Sequence, residues 1–195
     1  MNTANAILWL GALSLSASLG CSRKEESPRA EAPVRAASPR ETLIKKGVTA
    51  PSFEATTHTG EVISLKGLRG QLVVLYFYPK DGTPGCTAEA EGFRDSHDAL
   101  SAQGAVIIGV STQDNETHQD FARELGLPFL LLPDEEGEIA ASYGVGSFLG
   151  FTKRKTVIID REGVVARVYD DVSPENHAAE VLTVLKELSS KPQTD

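Results

Sequence analysis

Three patterns of hydrophobic and polar positions follow one another along the chain. Residues 6–19 (AILWLGALSLSASL) form an almost unbroken apolar run of 14. Residues 22–40 (SRKEESPRAEAPVRAASPR) are Pro, Ala, Ser and charge, with Val34 as the one branched apolar residue. From Thr42 onward, short apolar runs alternate with polar stretches on the scale of strands and helices. Phe53–Thr57 and Glu61–Leu65 alternate on either side of His58-Thr59-Gly60 and predict a hairpin. Gln71–Tyr78 (QLVVLYFY) and Ala105–Ser111 (AVIIGVS) are continuous and β-rich, the pattern of strands buried on both faces. Thr87–Gln103, Glu116–Leu125 and Pro174–Leu188 read as helices, the second ending at Gly126. Phe129–Leu132 predicts a short strand and Glu135–Tyr143 a short helix. Thr156–Asp160, Arg161-Glu162-Gly163 and Val164–Tyr169 predict a strand, a turn and an antiparallel partner.

Strand–helix alternation closed by a hairpin and a last helix implies an α/β domain, a mixed central sheet with helices on both faces and an N-terminal β-hairpin. A thioredoxin-like fold fits this order; composition alone does not separate it from a flavodoxin-like one. The domain is expected over residues 43–192, preceded by a signal segment (1–20) and a flexible linker (21–42).

The apolar run is shorter than the ~20 residues of a membrane span and suits a secretory signal core. Ser18-Leu19-Gly20-Cys21 follows it and resembles a bacterial lipobox, whose cysteine becomes the lipidated first residue of the mature chain. Two features depart from that pattern. Ser18 stands where Leu is usual, and no Lys or Arg precedes the apolar run. The alternatives are an ordinary signal peptide or an uncleaved anchor with an incidental cysteine. Lipidation of Cys21 is the preferred reading, and it implies an exported protein held at a cell-envelope membrane, facing the periplasm. A linker of this composition buries too little to fold and would tether the domain to that surface.

Charge narrows the partners. Residues 1–40 carry five basic and three acidic side chains, whereas residues 41–195 carry fourteen basic and twenty-four acidic, a net −10. An acidic body argues against nucleic acid as the main partner and against a strongly anionic substrate. A small neutral substrate remains open. Two cysteines make no disulfide scaffold, and without a Cys-x-x-Cys pair ordinary dithiol exchange is disfavoured. His58, His97, His118 and His177 are scattered and read as single surface residues, so neither a metal cluster nor a Cys–His pair is indicated. Gly144–Gly150 lacks the Lys-Ser/Thr ending of a phosphate loop.

The informative segment is Tyr78-Pro79-Lys80-Asp81-Gly82-Thr83-Pro84-Gly85-Cys86-Thr87-Ala88-Glu89, where the most apolar strand meets a helix. Thr83 suits an N-cap and Pro84 a first helical position, which puts Cys86 in the first turn. There its sulfur lies near unpaired backbone N–H groups and the positive end of the helix dipole, a setting for a reactive thiolate. Taken without its neighbours, Cys86 could equally be a small core residue, Thr83 a plain cap and Pro79 a strand stop.

Pro79-x-x-x-Thr83-x-x-Cys86 matches the peroxiredoxin active-site motif, and the wider Tyr76–Ala90 segment resembles the peroxiredoxin Q, or bacterioferritin comigratory protein, subfamily. The similarity runs over about residues 43–190, with Gly47–Phe53 early and Thr156–Asp160 late. The resemblance implies a thiol-dependent peroxidase of the thioredoxin-dependent class that needs no metal, haem or flavin. It implies that Cys86 attacks a peroxide oxygen and becomes a sulfenic acid. Thr83 would hydrogen-bond peroxide and sulfur, and Pro79 would shield the pocket. Arg154, six residues before Asp160, would stabilise the charge on sulfur and on the leaving oxygen; by composition alone, Lys153-Arg154-Lys155 is a solvated run. Glu89 would orient the arginine.

One departure is chemical. Many members carry a resolving cysteine five residues after the reactive one, and Glu91 stands there. A one-cysteine cycle follows, with hydrogen peroxide or a small organic hydroperoxide as substrate and a thioredoxin-like protein or small thiol as reductant. An unmodified Cys21 could instead resolve Cys86 through the linker. The rival class is a non-enzymatic redox sensor or a thioredoxin-fold binding module.

Overall fold

All six residues of Leu72–Phe77 are buried, and the domain is arranged around this strand. The computed structural model describes residues 35–40 and 42–190; the apolar segment, Cys21 and most of the linker lie outside the described residues. The elements in chain order are β1 (Arg35–Ala36), β2 (Phe53–Thr56), β3 (Val62–Ser64), β4 (Leu72–Phe77), α1 (Pro84–Asp95), α2 (His97–Ser101), β5 (Ala105–Ser111), α3 (Asn115–Leu125) and β6 (Leu130–Pro133). They continue with α4 (Glu138–Ser142), β7 (Ser147–Phe148), β8 (Phe151–Thr152), β9 (Lys155–Ile159), β10 (Val165–Tyr169) and α5 (His177–Ser189). Among the described residues no helix is long and apolar enough to cross a membrane.

The main sheet has the order β10-β9-β4-β5-β6. β4 and β6 run parallel to β5, while β9 is antiparallel to β4 and β10 antiparallel to β9. Side chains of β4 alternate between its faces, as a pleated strand requires. Val73, Leu75 and Phe77 join the core built with the N-terminal strands and α4. Leu72, Val74 and Tyr76 join the core built with α1, α2, α3 and α5. This is the expected thioredoxin-like arrangement, a mixed sheet covered on both faces.

Several local details differ from the sequence pattern. Arg35 and Ala36, assigned to the linker by composition, pair antiparallel with Glu54 and Phe53. Arg40 N–H donates to the Ala141 carbonyl at 2.8 Å, so residues 35–40 belong with the domain. An edge strand docks through backbone groups, which ask little of its side chains. The helix predicted over Thr87–Gln103 breaks at Ser96 into α1 and α2; only the weak helix preference of serine marks the place. The glycine-rich stretch forms the β7–β8 hairpin. Its two turn residues, Leu149 and Gly150, are both left-handed (φ 52° and 82°), the conformation of a tight hairpin turn.

Packing is tight where Gly109 of β5 lies beneath Tyr76. A Cβ at Gly109 would stand 2.7 Å from the Tyr76 ring and hydroxyl and 2.8 Å from Leu131 Cδ2. Gly109→Ala is expected to destabilise the domain by about 1–3 kcal/mol through overpacking. Chemical denaturation of the two proteins measures the difference.

Candidate functional site

The site forms at the carboxyl end of β4, the end where open α/β sheets place function. Tyr78 extends the strand by one bond, its N–H donating to the Val110 carbonyl at 3.1 Å. Pro79 then turns the chain out of the sheet, and Gly82 takes a left-handed φ of 68°. Thr83 occupies the N-cap position of α1 and Pro84 the first helical one. The cap differs from the expected one. The Thr83 hydroxyl makes no capping bond to the helix; it donates to the Lys80 carbonyl at 3.0 Å, which ties the loop to itself.

Cys86 is the third residue of α1 and is 1 % exposed. The helix buries Cys86, Glu89, Ala90 and Phe93 on one side, the spacing of a single helical face. Glu89 thus enters the interior directly beside the thiol.

Arg154 is the residue just before the neighbouring strand, β9. Phe77 of β4 pairs with Lys155 of β9, so the preceding residue of the antiparallel strand comes level with the start of the Pro79 loop. Successive side chains there point to opposite sides. Lys155 pairs with Asp170, Lys153 is exposed, and Arg154 turns inward. Its Nη2 donates to Cys86 Sγ at 3.2 Å, and its Nη1 donates to Glu89 Oε2. The inward turn of Arg154 corrects the reading of Lys153-Arg154-Lys155 as a uniformly solvated run.

Gly85 makes room for this contact. A Cβ there would lie 3.3 Å from Arg154 Nη2 and 3.7 Å from Pro174 Cγ.

The electrostatics are those of a buried pair. Burial raises the Glu89 carboxyl to about 7, against the lowering influence of Arg154. Burial also works against the charge on Arg154, but Glu89 and Cys86 outweigh it, and the guanidinium pKa rises. Glu89 Oε1 and the Tyr76 hydroxyl are buried without a hydrogen-bond partner among the described residues.

The structure thus joins Cys86, Arg154 and Glu89. It leaves Thr83 on the same turn with its hydroxyl engaged elsewhere, and Pro79 half-buried at the root of the loop. Cys21 lies outside the described residues. Glu91, where a resolving cysteine would stand, pairs with Arg94 at 3.6 Å. Among the described residues no group of three or more His, Cys, Asp or Glu is arranged to hold a metal ion.

Two of the four histidines correct the expectation of surface residues. His177 is fully buried, its Nε2 2.8 Å from Thr156 Oγ1 and its ring edge-on to Phe93 and Tyr169. Burial lowers its pKa to about 4, with Arg154 adding to the effect and Glu180 opposing it. His118 is also fully buried, against Asp81 of the active-site loop. Both are legible as members of buried helical stripes: His118-Phe121-Ala122 in α3 and His177-Ala178-Val181-Leu185 in α5.

The likeness to known proteins covers the same region. Residues 47–168 match the AhpC/TSA family. The Bcp peroxiredoxin of Bacillus subtilis is 42% identical over 156 residues, which cover 76% of this chain and 99% of that protein. The chloroplastic peroxiredoxin Q of Oryza sativa subsp. japonica is 39% identical over 80% of this chain and 77% of its own. Among solved structures, the peroxidoxin BcpB of Mycobacterium tuberculosis superposes with a TM-score of 0.70 at 35% identity, over 74% of this chain and 98% of that one. The Xanthomonas campestris bacterioferritin comigratory protein, described for its alkyl peroxide reduction activity, superposes with a TM-score of 0.66 at 29% identity, over 70% and 92% of the two chains. With the thiol, the guanidinium and the strand register in place, the chain belongs to the AhpC/TSA family and, within it, to the Bcp and peroxiredoxin Q group of peroxiredoxin enzymes.

Proposed function

We propose that Cys86 is the peroxidatic nucleophile of a one-cysteine thiol peroxidase acting on hydrogen peroxide and small organic hydroperoxides. The observation that carries this reading is the 3.2 Å contact from Arg154 Nη2 to Cys86 Sγ on the first turn of α1. A fixed positive charge and unpaired helix N–H groups there stabilise negative charge on the sulfur and on the peroxide oxygens. The Cys86 thiolate attacks the terminal oxygen; an S–O bond forms, the O–O bond breaks, and the leaving oxygen takes up a proton as water or alcohol. An external thiol then attacks the sulfenic sulfur, releasing water and leaving a mixed disulfide. A second thiol returns Cys86 to the reduced state. The Xanthomonas relative's alkyl peroxide activity supports the organic substrates, and the absence of any cysteine after Cys86 supports the external reductant.

Thr83 offers its hydroxyl to the incoming peroxide once it leaves the Lys80 carbonyl, and Pro79 excludes water from one side. Glu89 fixes the guanidinium plane. Residues 6–21 support an exported form anchored through a lipidated Cys21 at the periplasmic face of a membrane.

The direct test is rapid-quench oxidation of the full chain by hydrogen peroxide, with a sulfenic-acid trap and peptide mass mapping to separate Cys86 from Cys21. The expected result is stoichiometric trapping at Cys86, far faster than for a free thiol, and none in Cys86→Ser at an unchanged fold. Arg154→Ala is expected to slow the step by roughly 100–1,000-fold, the scale for losing one preorganised donor. Thr83→Val is expected to slow it by on the order of 100-fold. Reactivity no better than a free thiol would leave Cys86 as a redox-sensing or partner-binding residue.

Glu89→Gln separates positioning from folding. Because the Glu89 carboxyl is raised to about 7, folding favours its protonated form. That contribution is complete below the unfolded value near 4.5 and is lost as pH rises through 7. The wild type should therefore lose stability relative to Glu89→Gln between about pH 4.5 and 7, by on the order of 3 kcal/mol. At pH 7 the variant should react with peroxide about tenfold more slowly, since the substituted amide holds the guanidinium through a neutral bond only. Parallel denaturation and oxidation measurements across this range check both outcomes.

A further inference from the structure

A second buried polar group touches the active-site loop, and the chemistry above makes no use of it. Asp81, midway between Pro79 and Thr83, is 9 % exposed; His118 on α3 is fully buried. Asp81 Oδ2 lies 2.6 Å from His118 Nδ1, and Asp81 Oδ1 accepts from the Tyr78 hydroxyl at 2.7 Å. His118 Nε2 lies 3.3 Å from the Leu132 carbonyl. Strand end, loop and helix are thus joined inside the protein by one connected set of bonds.

Proton counting says what this set requires. A carbonyl oxygen only accepts, so Nε2 carries a proton. Both carboxyl oxygens have partners: Oδ1 receives the tyrosine proton, and a further proton must lie between Nδ1 and Oδ2. Without it, two lone pairs would face each other at 2.6 Å in a buried site. Every polar atom of the set is then satisfied, the condition under which a buried network rigidifies what it joins.

We infer that His118 is a positioning residue for the peroxidase reaction. Through Asp81 it clamps the Pro79–Thr83 loop to α3 and so fixes Pro79 and Thr83 over the Cys86 turn. The Thr83–Lys80 bond is local to the loop and cannot anchor it to the body of the domain. The inference rests on the reading of Cys86 as the reacting thiol.

The clamp makes an unusual demand on substitutions. In Asp81→Asn the amide nitrogen can donate to His118 Nδ1, the amide oxygen can accept from Tyr78, and a neutral His118 can still donate from Nε2 to Leu132. All the bonds survive with the charge removed. Asp81→Ala and His118→Leu break them. Two quantities are measured on full-length protein: the rate of Cys86 oxidation by hydrogen peroxide, and the amide hydrogen-exchange protection of residues 79–87 with β4 and β5 as internal controls. Asp81→Ala and His118→Leu are expected to slow oxidation roughly 10–100-fold, the scale for a misplaced reacting group. They should strip protection from residues 79–87 and leave the strands protected. Asp81→Asn is expected to stay near the wild type in both. An Asp81→Asn variant as impaired as Asp81→Ala overturns the clamp, as does wild-type loop protection in His118→Leu. If His118→Leu fails to fold, the Asp81→Asn and Asp81→Ala pair still decides. Slow oxidation in the wild type itself would instead remove the peroxidase reading, while loop protection would go on reporting the clamp.

Discussion

The guanidinium of Arg154 is the point at which the separate parts of this chain meet. It lies between the Cys86 sulfur and the Glu89 carboxylate, two groups on one face of α1, and it comes from the residue just before β9, almost seventy residues later. Nothing in α1 could bring it there. The Phe77–Lys155 rung of the β4–β9 ladder does so, because it sets Arg154 level with the point where the chain leaves the sheet. A register slip of one residue would turn Arg154 outward and Lys155 inward. The buried faces of β4 and β9 forbid that slip: Leu75 and Val157 are both fully buried in one core, and Val74 and Ile158 in the other. The hydrophobic pattern of two strands thus determines the position of one charge.

That position has a cost. Burying Glu89 at 1 % exposure penalises its ionised form, and one of its oxygens has no partner among the described residues. A buried ion pair of this kind seldom stabilises a fold relative to apolar packing. Its value here is geometric. An arginine held only by solvent would sample many rotamers, whereas one bonded to a carboxylate on the same helix as the thiol moves with that thiol. The apolar clusters on the two faces of the sheet supply the stability that the pair does not, and Tyr76, packed against Phe93 and Phe129, links the site to one of them.

The sequence is legible where a single periodicity carries the information. The unbroken apolar runs of β4 and β5, the Gly126 end of α3 and the Pro84 start of α1 all appear in the structure as local chemistry requires. Arg154 is not legible from its neighbours. Lys153-Arg154-Lys155 looks solvated, and only pairing with a strand distant in sequence tells the middle residue from the other two. His118 misleads for a different reason. Judged singly, a histidine is a surface residue, but at the head of the stripe it shares with Phe121 and Ala122 it has to face inward. The β7–β8 hairpin is too short for any pattern, and its Leu-Gly turn lacks the usual Asn-Gly signature. Arg35–Ala36 leaves no signal because an edge strand can be held by backbone bonds alone.

The position five residues after Cys86 connects the geometry to the proposed cycle. At 3.6 residues per turn it lies about 140° around α1 from the thiol. Glu91 there pairs with Arg94, away from the face that buries Cys86, Glu89, Ala90 and Phe93. A thiol in that place could reach the Cys86 sulfur only if the first turns of the helix came apart, and that would release Glu89 from Arg154. This chain places Glu91 there, so the proposed one-cysteine cycle does not require α1 to unwind. The two anchors around Cys86 can therefore both be tight, Arg154–Glu89 on the helix side and Asp81–His118 on the loop side. In the proposed cycle, a site built this way would keep its donors aimed at the sulfur throughout the oxidation step and would leave the reduction step to a thiol from outside the domain.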